Sequence, residues 1–257
     1  MQEVRGGMQR VVIISAGRNY LPYLREWFSS LMEQSYTDFH CICIDDCSDD
    51  NSFAELKSLT NQDSRFTVVQ NETRKYALYN KTAGLLKAIK LEDSDIVVSL
   101  DLDDCLLGQD ALGCVDKIFK DEDVWFSYGS MQPYPKHAKL IDWEVPVRKQ
   151  IWKTSALRAC RWFLLKNIYK SDLTSPDGDW YKYPEDRFLC YPMVEMAGEA
   201  HVYRNEKVIY NYGAYLPYSD CLHHQPEILS IVDMLKRSEP YKLKTKKQLI
   251  AHRNDWL

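Results

Sequence analysis

Short apolar runs separated by polar turns dominate the first hundred residues of the chain. Residues 11–14 form the first run, and residues 39–44, 66–69 and 96–100 form three more. Compact apolar runs that end in polar turns are typical of strands buried in a parallel sheet. The pattern therefore predicts a strand at each of these positions.

A helical spacing of apolar residues lies between these runs. Residues 21–32 carry apolar side chains three or four positions apart, which predicts an amphipathic helix. Residues 53–59 and 76–89 predict two more helices, the first with Ser52 as its N-cap and Glu55 three residues further on. Strands and helices that alternate in this way predict a Rossmann-like α/β fold, in which helices flank both faces of a mainly parallel sheet.

The rest of the chain has a less regular pattern. It contains no repeat, low-complexity stretch or clear linker, so we expect a single domain over residues 1–257. The expected helices are 109–120, 155–168, 186–196 and a helical tail beyond residue 227. The expected strands are 124–129 and a hairpin or strand pair within 202–211, and the expected loops are 132–153 and 171–184.

Composition and charge argue against several classes of protein. The 257 residues are 45% hydrophobic and 27% charged with a formal net charge of −4, which is typical of a globular protein without a nucleic-acid-binding surface. We expect a loose leader over the first ten residues, no signal peptide and no membrane span. The eight cysteines include no CxxC pair, so we expect reduced thiols and a cytoplasmic protein. The motifs GxGxxG, GxxxxGK[ST] and GxSxG are absent, which disfavours oxidoreductase, P-loop and α/β-hydrolase functions.

One basic segment lies near the end of the sequence. Residues 236–247 include Lys236, Arg237, Lys242 and Lys244. This run is either the solvated face of a helix or a weak docking site for an anionic membrane or glycan. The solvated helix face is the favoured interpretation, and peripheral membrane contact is the open alternative.

Polar clusters follow three of the predicted strands. They occupy residues 15–19, 45–50 and 101–104. Ligands of open α/β sheets bind beyond the carboxyl ends of the strands, where all three clusters would meet. The sequence therefore predicts one binding site at this edge of the sheet.

Carboxylates dominate the third cluster. Asp101, Asp103 and Asp104 bring like charges within a few ångströms of one another, which is unfavourable unless a cation lies between them. Oxygen ligands of this kind suit Mg²⁺ or Mn²⁺, which completes its shell with waters and phosphate oxygens. The alternative is an acidic surface turn without a ligand.

The second cluster also carries carboxylates at a strand end. Asp46, with Asp45 as its neighbour, is placed to accept a hydrogen bond from a ring N–H of a base or from a ribose hydroxyl. The alternative is a loop that only caps the helix over residues 53–59.

The three clusters together resemble the nucleotide-side motifs of family 2 glycosyltransferases, which have the GT-A fold. The matching segments are Val12-Ile13-Ile14-Ser15 with Asn19, residues 44–50 and residues 100–104, in the family's order and spacing. The resemblance implies a nucleotide-sugar-binding half over residues 10–130 and an acceptor-binding half over 131–226, followed by the helical tail over 227–257.

The resemblance also implies roles for individual donor-side residues. The residues that would contact the nucleoside are Ser15, Asn19, Asp45 and Asp46. Arg74 would contact the diphosphate, with Lys75 as the second candidate. The ribose or sugar would contact Asp101 and Leu102, and the metal would be held by Asp103 and Asp104. Where the family has Ala-Arg-Asn in the third helix, this chain has Leu78-Tyr79-Asn80, so only Asn80 matches.

Acceptor-side segments resemble a bacterial branch of the same family. The segments are 156–158 with Trp162 and Phe163, 177–180, 185–186, 192–198 and 210–212. They imply that Asp186 is the acceptor-side carboxylate, and we interpret it as the general base, with Glu185 as the alternative. An acceptor hydroxyl attacks only as a base takes its proton, and one base on that side gives in-line displacement with inversion. Glu195 is expected to be a structural partner.

The expected function is transfer of a sugar from a nucleotide-diphospho-sugar, with a UDP-sugar favoured, to a glycan or glycoconjugate hydroxyl in surface polysaccharide synthesis. One alternative is a sugar-phosphate nucleotidyltransferase, which would need a glycine-rich loop where residues 15–19 contain one glycine. Another is a non-catalytic glycan-binding module. We expect mostly core positions for Trp143, Trp152, Trp162 and Trp180, with one or two of them lining an acceptor groove as the alternative. We expect a surface position for His223 and His224.

Overall fold

The computed structural model of the chain describes residues 10–134, 136, 138–213 and 223–257. Residues 1–9 of the expected leader, residues 135 and 137 of the expected loop over 132–153, and Cys221 among the eight cysteines lie outside these residues. The cysteines within them are free thiols.

Strands and helices alternate through the first half of the chain, as predicted. The strands are β1 (Val11–Gly17), β2 (Phe39–Asp45), β3 (Phe66–Gln70), β4 (Ile96–Ser99), β5 (Cys105–Leu106), β6 (Phe126–Tyr128), β7 (Arg158–Arg161), β8 (Val202–Arg204) and β9 (Tyr210–Asn211). The helices are α1 (Leu24–Met32), α2 (Ser52–Thr60), α3 (Tyr76–Tyr79), α4 (Leu85–Ala88), α5 (Ala111–Phe119), α6 (Trp162–Leu165), α7 (Lys170–Leu173), α8 (Glu185–Ala197), α9 (Gln225–Arg237) and α10 (Lys246–Ala251). A π-helical turn, Asn80–Gly84, joins α3 to α4, and 3₁₀ turns occupy Val147–Lys149 and Glu199–His201.

A central sheet organises the molecule, in the order β3-β2-β1-β4-β7-β6-β8. The pairs β3–β2, β2–β1 and β1–β4 are parallel, whereas β7 is antiparallel to both β4 and β6. The predicted mixed, mainly parallel α/β sheet is therefore confirmed. Because β1, β2 and β4 run in the same direction, the segments that follow them meet at one edge.

Hydrophobic cores cover both faces of the sheet, because side chains alternate along each strand. Val12 and Ile14 of β1 face a core that includes α6 and α8, while Val11 and Ile13 face a core that includes α1 and α5. This layered arrangement fixes the strand ends that carry the polar clusters.

The helix predicted over residues 155–168 is wrong in its first half. Arg158–Arg161 is strand β7, and only Trp162–Leu165 is helical. Cys160 of strand β7 faces one hydrophobic core and Ala159 faces the other, so the strand is covered on both faces and shows no alternation of apolar and polar positions. Periodicity alone does not distinguish such a strand from a buried helix.

Three further predictions also need correction. The strand pair expected within residues 202–211 does not form, because β8 joins the central sheet beside β6 whereas β9 pairs with β5. Ser52 is the first residue of α2 and not its N-cap, since its hydroxyl bonds to Asp50 and accepts from Tyr20 N–H at 3.0 Å. The helix predicted over residues 76–89 is interrupted by the π-helical turn.

The basic segment over residues 236–247 is not one helix face. Helix α9 ends at Arg237 and α10 begins at Lys246, so the middle of the segment is not helical. Within the part of the chain that the structure describes, no helix is both long and apolar enough to cross a lipid bilayer.

Candidate active site

A cavity of about 400 Å³ opens at the carboxyl ends of β1, β2 and β4. All three polar clusters predicted from the sequence contribute to its walls. The predicted site residues that line it are Asn19, Asp46, Arg74, Asn80, Asp101, Asp103, Asp104 and Glu185. The structure therefore brings donor-side candidates and one acceptor-side candidate into a single space.

Three predicted donor-side contacts do not reach the cavity with their side chains. Ser15 is fully buried, and its hydroxyl accepts a hydrogen bond of 3.3 Å from Trp27 Nε1. Asp45 is also fully buried and accepts from the Tyr20 hydroxyl at 3.0 Å. Leu102 belongs to the hydrophobic core. Because alternate positions at a strand end face the core, these side chains support the site and do not line it.

Asp46 organises the turn that precedes α3. Its carboxylate accepts hydrogen bonds from the backbone N–H groups of Lys75 at 2.7 Å and Tyr76 at 2.8 Å, and from Asn71 Nδ2 at 2.8 Å. Tyr76 has a φ of 65°, a conformation that bulky residues rarely adopt. The Arg74 guanidinium lies over the Tyr76 ring, 4.2 Å from its centroid. Asp46 thus fixes the turn that brings Arg74 to the cavity.

The π-helical turn supplies two buried polar residues that approach the cavity. Asn80 is 1% exposed, and its Oδ1 accepts from Asn71 Nδ2 at 2.8 Å. The next residue, Lys81, places its ammonium between Asp101 and Glu185. π-Helical turns are rare and are found frequently at functional sites. Sequence analysis missed Lys81, because only the fold brings its carboxylate partners together.

The acidic cluster after β4 is partly buried. Asp104 Oδ1 accepts a hydrogen bond of 2.7 Å from Gly213 N–H, and its Oδ2 accepts from the Tyr210 hydroxyl. Burial raises the pKa of the Asp104 carboxyl well above its usual range, and the charges of Asp103 and Asp101 raise it further. A divalent cation would relieve this repulsion between carboxylates.

The acidic cluster can hold a metal ion whose remaining ligands come from water and from a substrate. Among the described residues, no group of three or more His, Cys, Asp and Glu side chains converges to hold an ion by itself. Mg²⁺ and Mn²⁺ need no such group, since they bind through one or two carboxylates, waters and phosphate oxygens. The oxygen donors of Asp103 and Asp104 at the cavity wall fit that mode of binding.

Glu185 and Asp186 begin α8 but occupy different surroundings. Glu185 lines both the large cavity and a smaller adjoining one, whereas Asp186 lines only the smaller one and lies 3.2 Å from Arg158 Nη2. Burial alone would raise the pKa of Glu185, but the charges of Lys81 and Arg158 outweigh it and lower the pKa. Burial raises the pKa of Asp186, against the opposing charge of Arg158. The pKa values of the two neighbouring carboxyl groups are therefore shifted in opposite directions.

Glu195 lies at the other end of α8 and has a structural role, as expected. Its carboxylate forms a bidentate ion pair with Arg148, with N–O distances of 2.7 and 2.8 Å, and also accepts from Tyr241 N–H at 2.9 Å. Both charged side chains are buried. The prediction that Glu195 is a structural partner is confirmed.

Aromatic residues and histidines complete the cavity wall. The exposed His223 and the half-buried His224 line it, so this pair lies at the surface as expected and also borders the cavity. The His224 ring stacks on Tyr183 at 4.6 Å, and Tyr183 meets the edge of Tyr76 at 5.7 Å. Of the tryptophans, Trp162 is a core residue as expected. Adjacent histidines carry no sequence signal of a binding site, so only the fold reveals them.

Comparison with known proteins gives a match to a family model. The model described as "Glycosyl transferase family 2" matches residues 11–161, which include the donor-side clusters. No curated protein matches the chain by sequence.

Solved structures share the fold at low sequence identity. A mannosyltransferase from Pyrobaculum calidifontis, PcManGT, solved with GDP-Man and Mn²⁺, has a TM-score of 0.64 at 15% identity over 91% of this chain and 66% of its own. TarS from S. aureus has a TM-score of 0.60 at 17% identity over 88% of this chain and 39% of its own. A shorter form of TarS, residues 1–349 with UDP-GlcNAc, has a TM-score of 0.61 at 17% identity over 95% of this chain and 71% of its own. The predicted GT-A fold is confirmed.

Proposed function

Because this chain belongs to glycosyl transferase family 2, we propose that it moves a sugar from a nucleoside diphosphate donor to an acceptor hydroxyl with inversion at the anomeric carbon. The observation that carries the proposal is the single cavity lined by Asp46, Arg74, the acidic cluster and Glu185. A nucleotidyltransferase or a binding module would share the sheet, but neither requires an acceptor-side carboxylate opposite the acidic cluster.

On the donor side, the proposed contacts follow the cavity wall. The nucleoside would lie against Asn19, Asp46 and the turn that Asp46 fixes, with Asn80 nearby. Arg74 would face the diphosphate, because a guanidinium binds phosphate oxygens in a bidentate manner. Asp101 would accept from a hydroxyl of the ribose or the sugar.

Asp103 and Asp104 would hold Mn²⁺ or Mg²⁺. Such a cation supplies electrostatic stabilisation to the departing nucleoside diphosphate. The chain's own contribution is the pair of carboxylates at the cavity wall, one of them held by Gly213 N–H at 2.7 Å.

On the acceptor side, Asp186 is the proposed general base. A base works best when its pKa lies near the working pH, and burial raises the pKa of Asp186 towards that range. The pKa of Glu185 is shifted in the opposite direction, because Lys81 lies 2.8 Å from its carboxylate. Glu185 is therefore the weaker candidate, although it lies closer to the donor cavity.

A UDP-sugar is the favoured donor in this proposal, with a GDP-sugar as the alternative. The related structures contain one of each, UDP-GlcNAc with TarS and GDP-Man with the mannosyltransferase. The proposed acceptor is a glycan or glycoconjugate made on the cytoplasmic side for the cell surface. The basic segment over residues 236–247 would serve peripheral membrane contact.

The test is to incubate the chain with UDP- and GDP-sugars and Mn²⁺ and to measure released nucleoside diphosphate. We expect release with one donor class, and abolition of release by EDTA. Turnover that requires pyrophosphate would favour the nucleotidyltransferase. Binding of a glycan without any turnover of a donor would favour the binding module.

A further inference from the structure

Lys81 connects the donor side and the acceptor side of the cavity. Its ammonium lies 2.7 Å from Asp101 Oδ1, 3.0 Å from Asp101 Oδ2 and 2.8 Å from Glu185 Oε1. The side chain is 3% exposed, so water does not replace these partners. An ammonium group has three N–H donors, and here three carboxylate oxygens surround it.

The two carboxylates come from separate parts of the fold. Asp101 follows β4, whereas Glu185 is the first residue of α8. The two carboxylates are 32% and 21% exposed, so water screens the repulsion between their negative charges only in part. The ammonium between them removes that repulsion, and their charges together raise the pKa of Lys81 despite its burial. Lys81 therefore remains charged and holds both carboxylates in place.

A neighbouring lysine lacks this arrangement. Lys87 lies in α4, one helical segment further along, where its side chain is exposed and its ammonium bonds to the Tyr79 hydroxyl at 2.7 Å. Lys87 carries the same charge but contacts neither side of the cavity. It provides a matched control for the loss of a lysine from this region.

We propose that Lys81 is a positioning residue of the transfer reaction, whose ammonium holds Asp101 and Glu185 as one rigid unit across the cavity. The inference rests on the proposed function. Lys81 acts through the two carboxylates and not by contact with a substrate. Loosening a positioned group by about 1 Å can reduce a rate by about 10²-fold, so the transfer step should depend strongly on this unit.

The test compares Lys81→Met, Glu185→Gln and the double variant with Lys87→Met as control. We expect Lys81→Met to reduce kcat for transfer by about 10²-fold. If both residues act in one unit, the double variant should lose no more than about threefold relative to the more damaged single variant, because effects within a unit do not multiply. Lys87→Met should keep the kcat and the donor KM of the wild type.

Two outcomes would overturn this inference. One is transfer by Lys81→Met at the wild-type rate, and the other is a double variant whose loss is the product of the two single losses. If Lys81→Met does not fold, the double variant removes both charges at similar volume and is compared with Glu185→Gln alone. We expect the double variant and Glu185→Gln to have equal kcat values. A further loss of about 10²-fold in the double variant would show that the two residues do not act as one unit. Absence of donor turnover in the wild-type chain would instead overturn the proposed function itself.

Discussion

The backbone N–H of Tyr76 donates a hydrogen bond of 2.8 Å to Asp46 Oδ2. Tyr76 has a φ of 65°, and the left-handed conformation costs an L-residue about 1–2 kcal/mol. The Asp46 carboxylate offsets this strain with a charge-assisted hydrogen bond. Asp46 therefore shapes the proposed donor pocket through the turn that carries Arg74.

Replacing Asp46 should weaken donor binding. Asp46→Ala removes three hydrogen bonds to a charged group, each contributing about 1.5–3 kcal/mol, and releases the turn. We expect the Kd for the nucleoside diphosphate to rise at least about tenfold, as measured by calorimetry. Asp38→Ala changes an exposed carboxylate just before β2 and serves as control. An unchanged Kd in Asp46→Ala would contradict this role.

Removing one carboxylate from the acidic cluster should weaken the response to metal. Asp103→Asn keeps the size of the side chain but lowers the negative charge available to Mn²⁺. We expect at least about 10²-fold weaker Mn²⁺ activation of donor turnover, measured by titration of the metal. Asp110→Asn makes the same change at a carboxylate that is 69% exposed and should leave the titration unchanged. Equal Mn²⁺ curves for Asp103→Asn and the wild type would remove Asp103 from the metal site.

The pH dependence of transfer should identify the base. A base acts when it is deprotonated, so kcat/KM should fall as the pH decreases through the raised pKa of Asp186. Arg158 opposes that rise and Glu185 adds to it. The pH at which kcat/KM falls on the acid side, the acid limb of the profile, should therefore be higher in Arg158→Gln and lower in Glu185→Gln.

Replacing Asp186 tests directly whether it is the general base. Asp186→Asn should bind donor normally and lose about 10²–10⁴-fold in kcat. Shifts of the acid limb in the same direction for Arg158→Gln and Glu185→Gln would exclude Asp186 as the titrating group. Full activity of Asp186→Asn together with an inactive Glu185→Gln would assign the base to Glu185.

The ion pair at the far end of α8 should matter for stability. Glu195→Gln leaves the buried Arg148 guanidinium without its counter-charge, which typically costs about 3–5 kcal/mol of the free energy of unfolding. Urea unfolding would measure this loss. Asp233→Asn, which breaks an exposed pair with Arg237, should change it by less than about 1 kcal/mol. Similar losses in both variants would contradict the structural role of Glu195.

Local pattern was sufficient to predict the part of the fold that creates the site. The apolar runs that became β1 to β4 are read from neighbouring residues, and parallel topology then places Asp46 and Asp101 at one edge. The same reasoning placed Ser15 and Asp45 at the site, because spacing does not show which face of a strand end a side chain occupies. Their burial against Trp27 and Tyr20 depends on the packing of the segment after β1.

Long-range contacts account for what the sequence did not reveal. Lys81 lies 104 residues from Glu185, and nothing near Lys81 in the sequence marks it as the partner of a carboxylate. Strand β7 could not be distinguished from a helix, because hydrophobic cores cover both of its faces and leave no alternation of apolar and polar residues. The histidine pair at residues 223–224 lines the cavity although no sequence motif marks it.

Helix α8 extends from Glu185 at the cavity to Ala197, and backbone from the end of the chain fastens its distal turn. Tyr241 N–H donates to Glu195 Oε2 at 2.9 Å, and Lys244 N–H donates to the Met196 carbonyl at 3.1 Å. Deleting the chain from residue 241 onward would remove both hydrogen bonds and also the core residues Leu249 and Trp256. Inactivity of such a truncated protein would then report lost packing and a displaced helix α8, and would not show that the deleted segment touches a sugar.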